Sequence, residues 1–577
     1  MLDSNLEISY LSCNAEVHSL YFFRFKDHAF PAASFISVRR RVDHKYNQVF
    51  LMKARIIVSL GILLFVLVFI AYYMSVSSTA TLILVNGVVY TVNDKQPTAQ
   101  AIAISGDRIL AVGANEDITS RYTASKTIDL QGSAVYPGFT DAHAHLEGLG
   151  ALLLNINLSG TKSVEEIQAL VAERVTTVPP GGWIRGRSWD QNKWAGKSFP
   201  THQMLDQVAK QNPVYLTRVD GHAVWVNKIA LDMAGITNST PDPEGGKILR
   251  DGDGNPTGVL IDNAIALIDS VMPEPSESER TEAIGLAVEA CLGVGLTGVH
   301  DMGADLQLIG IYKKLIEQKR FPFRVYVALD GIGKTWEHYL NAGPETDGYD
   351  NRLTVRALKL YADGALGSRG AALIEPYSDD PTNRGLTLTP TDALKQASLE
   401  ALHKGFQVCT HAIGDRANHI VLNMYEEVLA SDTRRAGNAR FRVEHAQIVE
   451  PNDIPRFHAL GVLPSMQPTH CTSDMYWAGD RVGSHRLKGA YAWRSFIESG
   501  SIIPGGSDFP VESPNPLYGF FAAIMREDHD GWPAGGWIPE QRMTREEALK
   551  AFTIWAAYAA FEESKRGSIE KGKLADI

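Results

Sequence analysis

Eight strand-like runs recur between residues 134 and 508, and helical segments separate them. The runs are AVYPGFTDAH (134–143), LTGVHD (296–301), FRVYVAL (323–329), VRALKLYAD (355–363), FQVCTHA (406–412), RFRVEHA (440–446), GVLPSMQ (461–467) and SIIPGGSD (501–508). Strands that alternate with helices in this way predict an α/β fold, a (β/α)₈ TIM barrel. Because a barrel gathers the carboxyl ends of its parallel strands on one face, side chains far apart in sequence are expected to meet there.

The first two runs are separated by much more chain than one helix requires. We therefore assign residues 161–275 to an inserted lid subdomain, and residues 137–160 and 276–561 to the barrel. Residues 80–136 contain short β-branched runs with Asn-Gly and Gly-Asp turns, which are typical of hairpins. With residues 562–577 they predict a small β-sandwich domain formed by the segments that flank the barrel. Its C-terminal part is expected to be truncated, because a strand stops unfinished at Ile577.

An uncharged apolar run, IIVSLGILLFVLVFIAYYM, extends from residue 56 to residue 74. Its length is about that needed to cross a bilayer core, so it predicts a transmembrane helix. Basic residues precede the run and none follows it until Lys95, so the positive-inside rule places residues 1–55 in the cytoplasm. The protein is then expected to be membrane-anchored, with its catalytic domain on the extracytoplasmic (periplasmic or secreted) side.

Two alternatives remain for the N-terminal region. The apolar run is also compatible with a cleaved signal peptide, since the small residues Ser75, Ser77 and Ser78 follow it. Met52 stands just before Lys53 and Arg55 and resembles a natural start. Residues 1–51 are then either a mis-called extension or a tail without regular structure.

The composition excludes some classes of function. A formal net charge of −11 gives no general attraction to nucleic acid. The four cysteines, Cys13, Cys291, Cys409 and Cys471, lack CxxC spacing, so neither a disulfide framework nor a zinc ribbon is indicated. The 17 histidines are more informative, because several of them lie in short motifs.

Residues with metal-binding chemistry stand at or near the ends of five of the runs. They are His143 and His145 at the end of the first run, Lys359 near the end of the fourth, His411 in the fifth, His445 in the sixth and Asp508 in the eighth. Positions i and i+2 of a strand share a face, so His143 and His145 can point together into the barrel mouth. A single His-x-His pair is weak evidence, but the joint pattern predicts a divalent metal site of nitrogen and oxygen ligands that suits zinc.

Several motifs together resemble the amidohydrolase superfamily, and more narrowly amidohydrolase family 3, which includes N-substituted formamide deformylases. They are PGFTDAHAH (137–145), HAIGDRA (411–417), VEHAQ (443–447), GGSDFPV (505–511) and GSIEKGKLADI (567–577). WIRGRSWDQNKW (183–194), RVDGHAVWVN (218–227), LYADGALGSRGA (360–371) and SMQPTH (465–470) look like further signatures of that group. The resemblance extends over about residues 80–577.

The resemblance implies the roles of the metal-binding residues. His143, His145 and Asp508 would bind one metal ion, and His411 and His445 a second. Lys359 matches the bridging carboxylysine of binuclear members, a lysine that carries a CO₂-derived carbamate. The alternatives for this residue are a solvated lysine at a strand end and a partner of Asp363. The number of ions, one or two, therefore stays open.

The implied reaction is hydrolysis of a non-peptide carbon–nitrogen bond, in an amide or an N-substituted formamide, by metal-activated water. Asp508 would accept a proton from the water and pass it to the leaving nitrogen. It could instead be a metal ligand with no proton role. The alternatives to the reaction are hydrolysis of cyclic or phosphate esters on the same scaffold and a catalytically degenerate binding protein. The expected partner is a small-molecule substrate, and a homo-oligomer is left open.

The inserted subdomain and one barrel segment provide candidate substrate contacts. They are Trp189, Asp190, Arg218, His222 and His470. One interpretation is a lid whose aromatic and polar side chains line the pocket. The other is that these tryptophans form the insertion's own core, where large aromatic residues are usually buried.

Overall fold

The structure is a computed structural model that describes residues 52–66 and 79–577. The chain divides into two compact units, Met1–Ser77 and Ser78–Ile577. In the first unit, residues 52–66 are helical. None of the helices within the described residues combines the length and the apolar character needed to cross a membrane. Residues 1–51 and 67–74 of the predicted tail and apolar run lie outside the described residues, so the anchor and the signal peptide both stay predictions.

Two small sheets open the second unit. Their strands are β1 (Thr79–Val85), β2 (Val88–Tyr90), β3 (Thr98–Ala99), β4 (Ala101–Ser105), β5 (Arg108–Gly113), β6 (Thr123–Asp129) and β7 (Ala134–Val135). The strand orders are β5-β4-β1-β6 and β3-β2-β7, and a helix, Asn115–Arg121, connects β5 to β6. Apolar side chains of both sheets share one core with Ile569. The amide of Ile569 donates to the carbonyl of Thr91 (2.8 Å), so the C-terminal segment packs on these sheets.

The barrel begins with β8 (Phe139–Ala144), which leads into the helix Leu146–Leu154. A six-stranded sheet is inserted after this helix. Its strands are β9 (Ile156–Asn157), β10 (Ile184–Trp189), β11 (Val214–Arg218), β12 (Ala223–Val226), β13 (Gly246–Arg250) and β14 (Pro256–Asp262). Its helices are Val164–Val175, His202–Asp206, Lys228–Met233 and Ala266–Asp269. The sheet starts at Ile156, slightly before the boundary of 161 that the sequence suggested.

The barrel continues after the insertion. Its further strands are β15 (Leu296–Ala304), β16 (Arg324–Leu329), β18 (Leu353–Tyr361), β19 (Gln407–Ala412), β20 (Arg442–His445) and β21 (Leu463–Ser465), and β17 (Glu345–Gly348) pairs antiparallel with β18. The order is β21-β20-β19-β18-β16-β15-β8, and every neighbouring pair in it is parallel. Most strand residues are buried on both faces, because side chains fill the interior and helices cover the outside.

The covering helices follow the strands along the chain. They are Glu277–Gly293, Leu306–Glu317, Lys334–Ala342, Thr391–Lys404, Asp415–Ser431, Thr433–Ala436, Ile454–Leu460, Pro468–Asp474, Ala478–Arg486, Trp493–Glu498, Pro516–Met525, Arg545–Ala551 and Ile554–Ala559. The first of them begins with a capping box, in which Ser276 and Glu279 satisfy each other's free amides. The prediction of a mixed α/β barrel is confirmed.

Residues 501–508 close the barrel between β21 and β8, although they do not form a regular strand. The carbonyl of Gly505 accepts from Ala142 (3.0 Å) and the amide of Gly506 donates to Met466 (3.1 Å). Pro504 has no amide hydrogen, which limits a regular ladder here. A Cβ on Gly506 would lie 2.6 Å from the backbone nitrogen of His143, so only glycine permits this close approach.

Candidate active site

Three of the predicted metal ligands converge at the mouth of the barrel. His143, His445 and Asp508 are buried, and each offers a side-chain atom within 4.8 Å of the other two. Nε2 of His145 lies 3.1 Å from Oδ1 of Asp508. The ring of His411 lies 4.5 Å, centroid to centroid, from the ring of His445. The structure therefore brings together the histidines and the aspartate that the sequence placed at separate strand ends.

The backbone aims these side chains in two ways. His143 and His145 follow the alternation at the end of β8, as the sequence predicted. His445 and Asp508 instead have positive φ angles of 72° and 60°. Non-glycine residues adopt this left-handed conformation at an energetic cost, and such residues are concentrated in functional sites. The amide of Asp508 also donates to the carbonyl of His143 (2.7 Å), which fixes the aspartate beside the first strand.

Hydrogen bonds behind the histidines fix which ring nitrogen carries the proton. Nδ1 of His143 lies 2.5 Å from Oε2 of Glu444, and Nε of Arg442 lies 2.7 Å from the other oxygen of that carboxylate. Burial raises the pKa of Glu444, but Arg442 and His143 together hold it well below its usual range. Since an ionised carboxylate only accepts, Nδ1 of His143 donates to it. Nδ1 of His445 likewise lies 2.8 Å from Oε1 of Gln467.

The ring nitrogens that face the centre are thus lone-pair donors. Nε2 of His143 lies 3.4 Å from Oδ1 of Asp508, which brings one electron-rich atom against another. Nε2 of His411 is buried and has no hydrogen-bond partner among the described residues. Burial, with neighbouring positive groups, lowers the pKa of His411 and His445 well below the usual histidine range, which favours neutral imidazole. Neutral imidazoles beside a carboxylate fit a divalent cation.

Lys359 lies inside the centre. Only 1% of its surface is exposed, and its Nζ lies 3.3 Å from Nε2 of His143. The oxygens of Asp363 accept from the backbone amides of Ala372, Ile413 and Gly414 instead of from the lysine. Neither a solvated lysine nor a pair with Asp363 is therefore observed. Burial lowers the pKa of Lys359, because a charged ammonium is poorly solvated there.

Two connected chambers open on the centre, since both are lined by His222, His411, His445 and Asp508. The larger has a volume of about 530 Å³ and the smaller about 100 Å³. Apolar side chains of the larger chamber are Ile265, Met302, Leu308, Leu388 and Val511. A chamber of this size and mixed lining suits a small organic molecule.

His222 and His470, both predicted to contact substrate, reach these chambers. Nδ1 of His222 lies 2.7 Å from Oδ1 of Asp262, and its ring lies 5.0 Å from that of His411. The ring of His470 stacks on that of His445 at 5.8 Å, and its Nε2 is buried without a hydrogen bond to any residue that the structure describes. Their positions favour the interpretation that they face substrate.

Asp190 and Arg218 line the smaller chamber, but they are bonded to each other. Nη2 of Arg218 lies 2.6 Å from Oδ1 of Asp190, and its Nε lies 2.7 Å from Oε1 of Gln191. Its Nη1 also donates to Asp220. The guanidinium is thus fully engaged by the lid, which favours a structural role for this pair.

The prediction that Trp189 contacts substrate is wrong. Its side chain is completely buried, and its Nε1 donates to the carbonyl of Leu216 (2.7 Å). Its ring packs near Trp194 and Trp225, at centroid distances of 5.9 and 6.2 Å. Trp189 belongs to the apolar core of the inserted subdomain and lines neither chamber.

Two residues of the site were not among the predicted site residues. Glu444 precedes His445 in β20, and strand alternation sends such neighbours to opposite faces, so nothing singled it out. Arg187 lines the larger chamber, and the WIRGRSWDQNKW motif contains it without showing its direction. Both residues lie in sequence motifs that also contain predicted site residues, and this position was the feature by which the sequence could have indicated them.

The fold and the site define a parallel barrel protein with a histidine and carboxylate centre at the carboxyl ends of its strands. The sequence profile of the amidohydrolase family matches residues 126–577, and this chain belongs to that family. It is 34% identical to Protein LONG AFTER FAR-RED 3 of Arabidopsis thaliana over 86% of each chain. It is 29% identical to the N-substituted formamide deformylase of Arthrobacter pascens, over 86% of this chain and 92% of that enzyme.

A solved structure shows the same architecture. An uncharacterized metal-dependent hydrolase from Pyrococcus horikoshii OT3 aligns with a TM-score of 0.68 and 26% identity. The alignment covers 86% of this chain and 96% of that one. The similarity to the amidohydrolase family that the motifs indicated is thereby confirmed.

Proposed function

We propose that the protein hydrolyses a carbon–nitrogen bond other than a peptide bond, in a small amide or an N-substituted formamide. The observation that carries this proposal is the convergence of lone-pair nitrogens from His143 and His445 with the carboxylate of Asp508. The deformylase activity named for the Arthrobacter relative supports the choice of bond. A larger chamber with apolar walls supports a small organic substrate.

The residues present fit one or two divalent cations, with zinc as the first candidate. His143, His145 and Asp508 would hold one ion, His411 and His445 would hold the other, and Lys359 would contribute a further ligand as a carbamate. Bound there, a divalent cation supplies a Lewis acid that polarises the scissile carbonyl and lowers the pKa of water toward neutrality. The buried amine of Lys359 supports the carbamate, because a neutral amine is the form that adds CO₂.

Asp508 is the proposed proton carrier. Its Oδ1 faces Nε2 of His143 (3.4 Å) and of His145 (3.1 Å). Asp508 would act as a carboxylate, because that is the form that accepts a proton and binds a cation. It accepts a proton as water attacks the carbonyl carbon, and it returns that proton to the nitrogen as the carbon–nitrogen bond breaks. The products are a carboxylic acid and a free amine.

The Glu444 and Gln467 side chains act through the histidines. Each holds one ring nitrogen, at 2.5 Å for His143 and 2.8 Å for His445, and so directs the other nitrogen toward the centre. Such partners orient ligands and raise their basicity.

We also propose that this chemistry takes place outside the cytoplasm, on the basis of the charge pattern around residues 56–74 alone.

A hydrolysis screen tests the proposal. The purified, zinc-loaded protein is offered a panel of N-formyl and N-acyl amines, and release of free amine is measured with and without a chelator. We expect chelator-sensitive release from members of this panel. Turnover of lactones or phosphotriesters alone, by protein with full metal content, would replace the carbon–nitrogen assignment with the ester alternative.

A further inference from the structure

Arg187 stands at the carboxyl end of β10, where the inserted sheet meets the barrel mouth. It lines the larger chamber together with His145, His222 and Asp508. Among the described residues that line this chamber, it is the only arginine. Its guanidinium is therefore available to whatever occupies the space in front of the metal-binding residues.

This guanidinium forms no hydrogen bond or ion pair with the residues that the structure describes, 52–66 and 79–577. Arg187 is half-buried, and a cationic group whose Nε is removed from water without a hydrogen bond in exchange is costly. Arginine in such a position is typical of a binding site for an anion.

The described carboxylates of the chamber form no ion pair with Arg187. Four of them contact another side chain: Glu147 contacts Arg280, Asp220 contacts Arg218, Asp262 contacts His222, and Asp301 contacts Tyr312. The fifth, Asp508, faces the imidazoles of the metal-binding residues. Both oxygens of Asp220 are engaged, since one accepts from Arg218 and the other from the amide of His222. The positive charge of Arg187 thus remains open to a ligand.

The backbone around Arg187 keeps the guanidinium in this place. The pairing of β10 with β11 shifts between Arg187 and Trp189, and Ser188 has a φ of 84°. Such a bulge re-aims the adjacent side chains. Gly221 has a φ of +76°, and a Cβ added to it would lie 3.2 Å from Nη2 of Arg187. Glycine at this turn therefore leaves room beside the guanidinium.

We infer that Arg187 binds a carboxylate of the substrate, so that the substrates are N-formyl or N-acyl amino acids and related acids. A guanidinium presents a planar fork of donors that matches the two oxygens of a carboxylate. The carboxylate of the substrate would form the ion pair that Arg187 lacks within the described residues, while the amide carbonyl of the substrate faces Asp508. This inference rests on the proposed function and narrows the proposed substrates, from small amides and N-substituted formamides in general to those that carry a carboxylate.

A pair of substrates that differ only in the carboxylate tests the inference. N-formylphenylalanine, as each enantiomer, is compared with N-formyl-2-phenylethylamine. For the wild type, we expect kcat/KM for one enantiomer of N-formylphenylalanine to exceed kcat/KM for N-formyl-2-phenylethylamine. The expected ratio is about 10 to 100, the range of a charged hydrogen bond. In Arg187→Met this ratio should fall toward one, and Arg187→Lys, which keeps charge but not the fork, should retain part of it.

Arg185→Met is the matched control. Arg185 shares the strand and the face of Arg187, but it donates to the carbonyl of Pro273 (2.6 Å) and does not line the chamber. It should preserve the wild-type ratio. A wild-type ratio near one, or a high ratio that survives in Arg187→Met, would overturn the inference and leave the proposed function in place.

Calorimetric binding of the same two compounds decides the case in which the protein hydrolyses neither. Preferential binding of the acid, lost in Arg187→Met and kept in Arg185→Met, would support the anion site although the proposed function had failed. Equal binding of both compounds by the wild type would refute the anion site as well. Circular dichroism and the Tm of each variant show whether it is folded.

Discussion

Nδ1 of His143 and Oε2 of Glu444 lie 2.5 Å apart, and they join the first barrel strand to the sixth. Both side chains are completely buried. The carboxylate therefore fixes the proton of the imidazole on the side away from the centre, and the other ring nitrogen is left free to bind a cation.

Glu444→Gln should weaken cation binding, because an amide can present its NH₂ group to the imidazole and is a weaker acceptor than a carboxylate. Loss of such a supporting group typically reduces metal affinity by about 10- to 100-fold. Competition with a chromogenic chelator measures the change. Asp453→Asn is the control, since Asp453 is a buried carboxylate that contacts His419 outside the site. Equal affinity in the wild type and Glu444→Gln would contradict this role.

Asp508→Asn should leave the fold intact and reduce kcat by at least about 10²-fold, the scale of a positioned proton-transfer group. An amide cannot accept the proton of the attacking water. Metal content is measured on the same sample, because the substitution also weakens a ligand. Near-normal turnover at full metal content would show that Asp508 does not carry the proton.

Lys359→Ala should lose most activity and at least one cation if a carbamate bridges two ions. In the wild type, CO₂ should promote reconstitution of the metal-free protein with two ions. A short carboxylic acid added to the mutant should restore part of the turnover by taking the place of the carbamate. Lys313→Ala is a suitable control, because Lys313 pairs with Glu345 away from the site. Wild-type metal content and rate in Lys359→Ala would exclude the two-ion mechanism.

Trp189→Phe should lower the free energy of unfolding by about 1–3 kcal/mol, since the buried carbonyl of Leu216 loses its hydrogen bond. The KM for substrate should not change, because the ring lies in the lid's core. Chemical denaturation and steady-state kinetics measure the two effects separately. A higher KM with unchanged stability would indicate that Trp189 contacts the substrate after all.

A reporter enzyme fused after residue 80 should be active only in an extracytoplasmic compartment. The expectation follows from the basic residues before residue 56 and their absence between residues 56 and 94. Alkaline phosphatase and a cytoplasmic reporter fused at the same position give opposite signals. Cytoplasmic activity of the fusion would exclude both the anchor and the signal peptide.

The sequence predicted the barrel and its strand ends well, because short buried strands and helices differ clearly in length and periodicity. His143 and His145 were accessible to the simple rule that alternate strand residues share a face. Residues 501–508 were expected to form a strand, but Pro504 and two glycines give an irregular segment that still bonds to both of its neighbours. The way this segment closes the barrel depends on its hydrogen bonds to the neighbouring segments, so it cannot be predicted from the sequence of residues 501–508 alone.

The remaining parts of the site depend on tertiary structure. His445 follows Glu444 directly, yet its φ of 72° lets both residues serve one centre. No glycine marks that turn, so the sequence gives no sign of it. Trp189 and Arg187 are two positions apart in one motif, but one enters the lid's core and the other lines the chamber. Residue type and spacing do not distinguish these directions.

The hydrogen bond from the amide of Asp508 to the carbonyl of His143 connects the last barrel segment to the first strand. During synthesis on the ribosome, His143 and His145 emerge long before Asp508 is translated. A growing chain therefore has no complete centre to bind a cation, and any early contacts with a cation would be those of exposed histidines. Since only the closed barrel unites these groups, cation binding should favour the finished fold over every partly translated form.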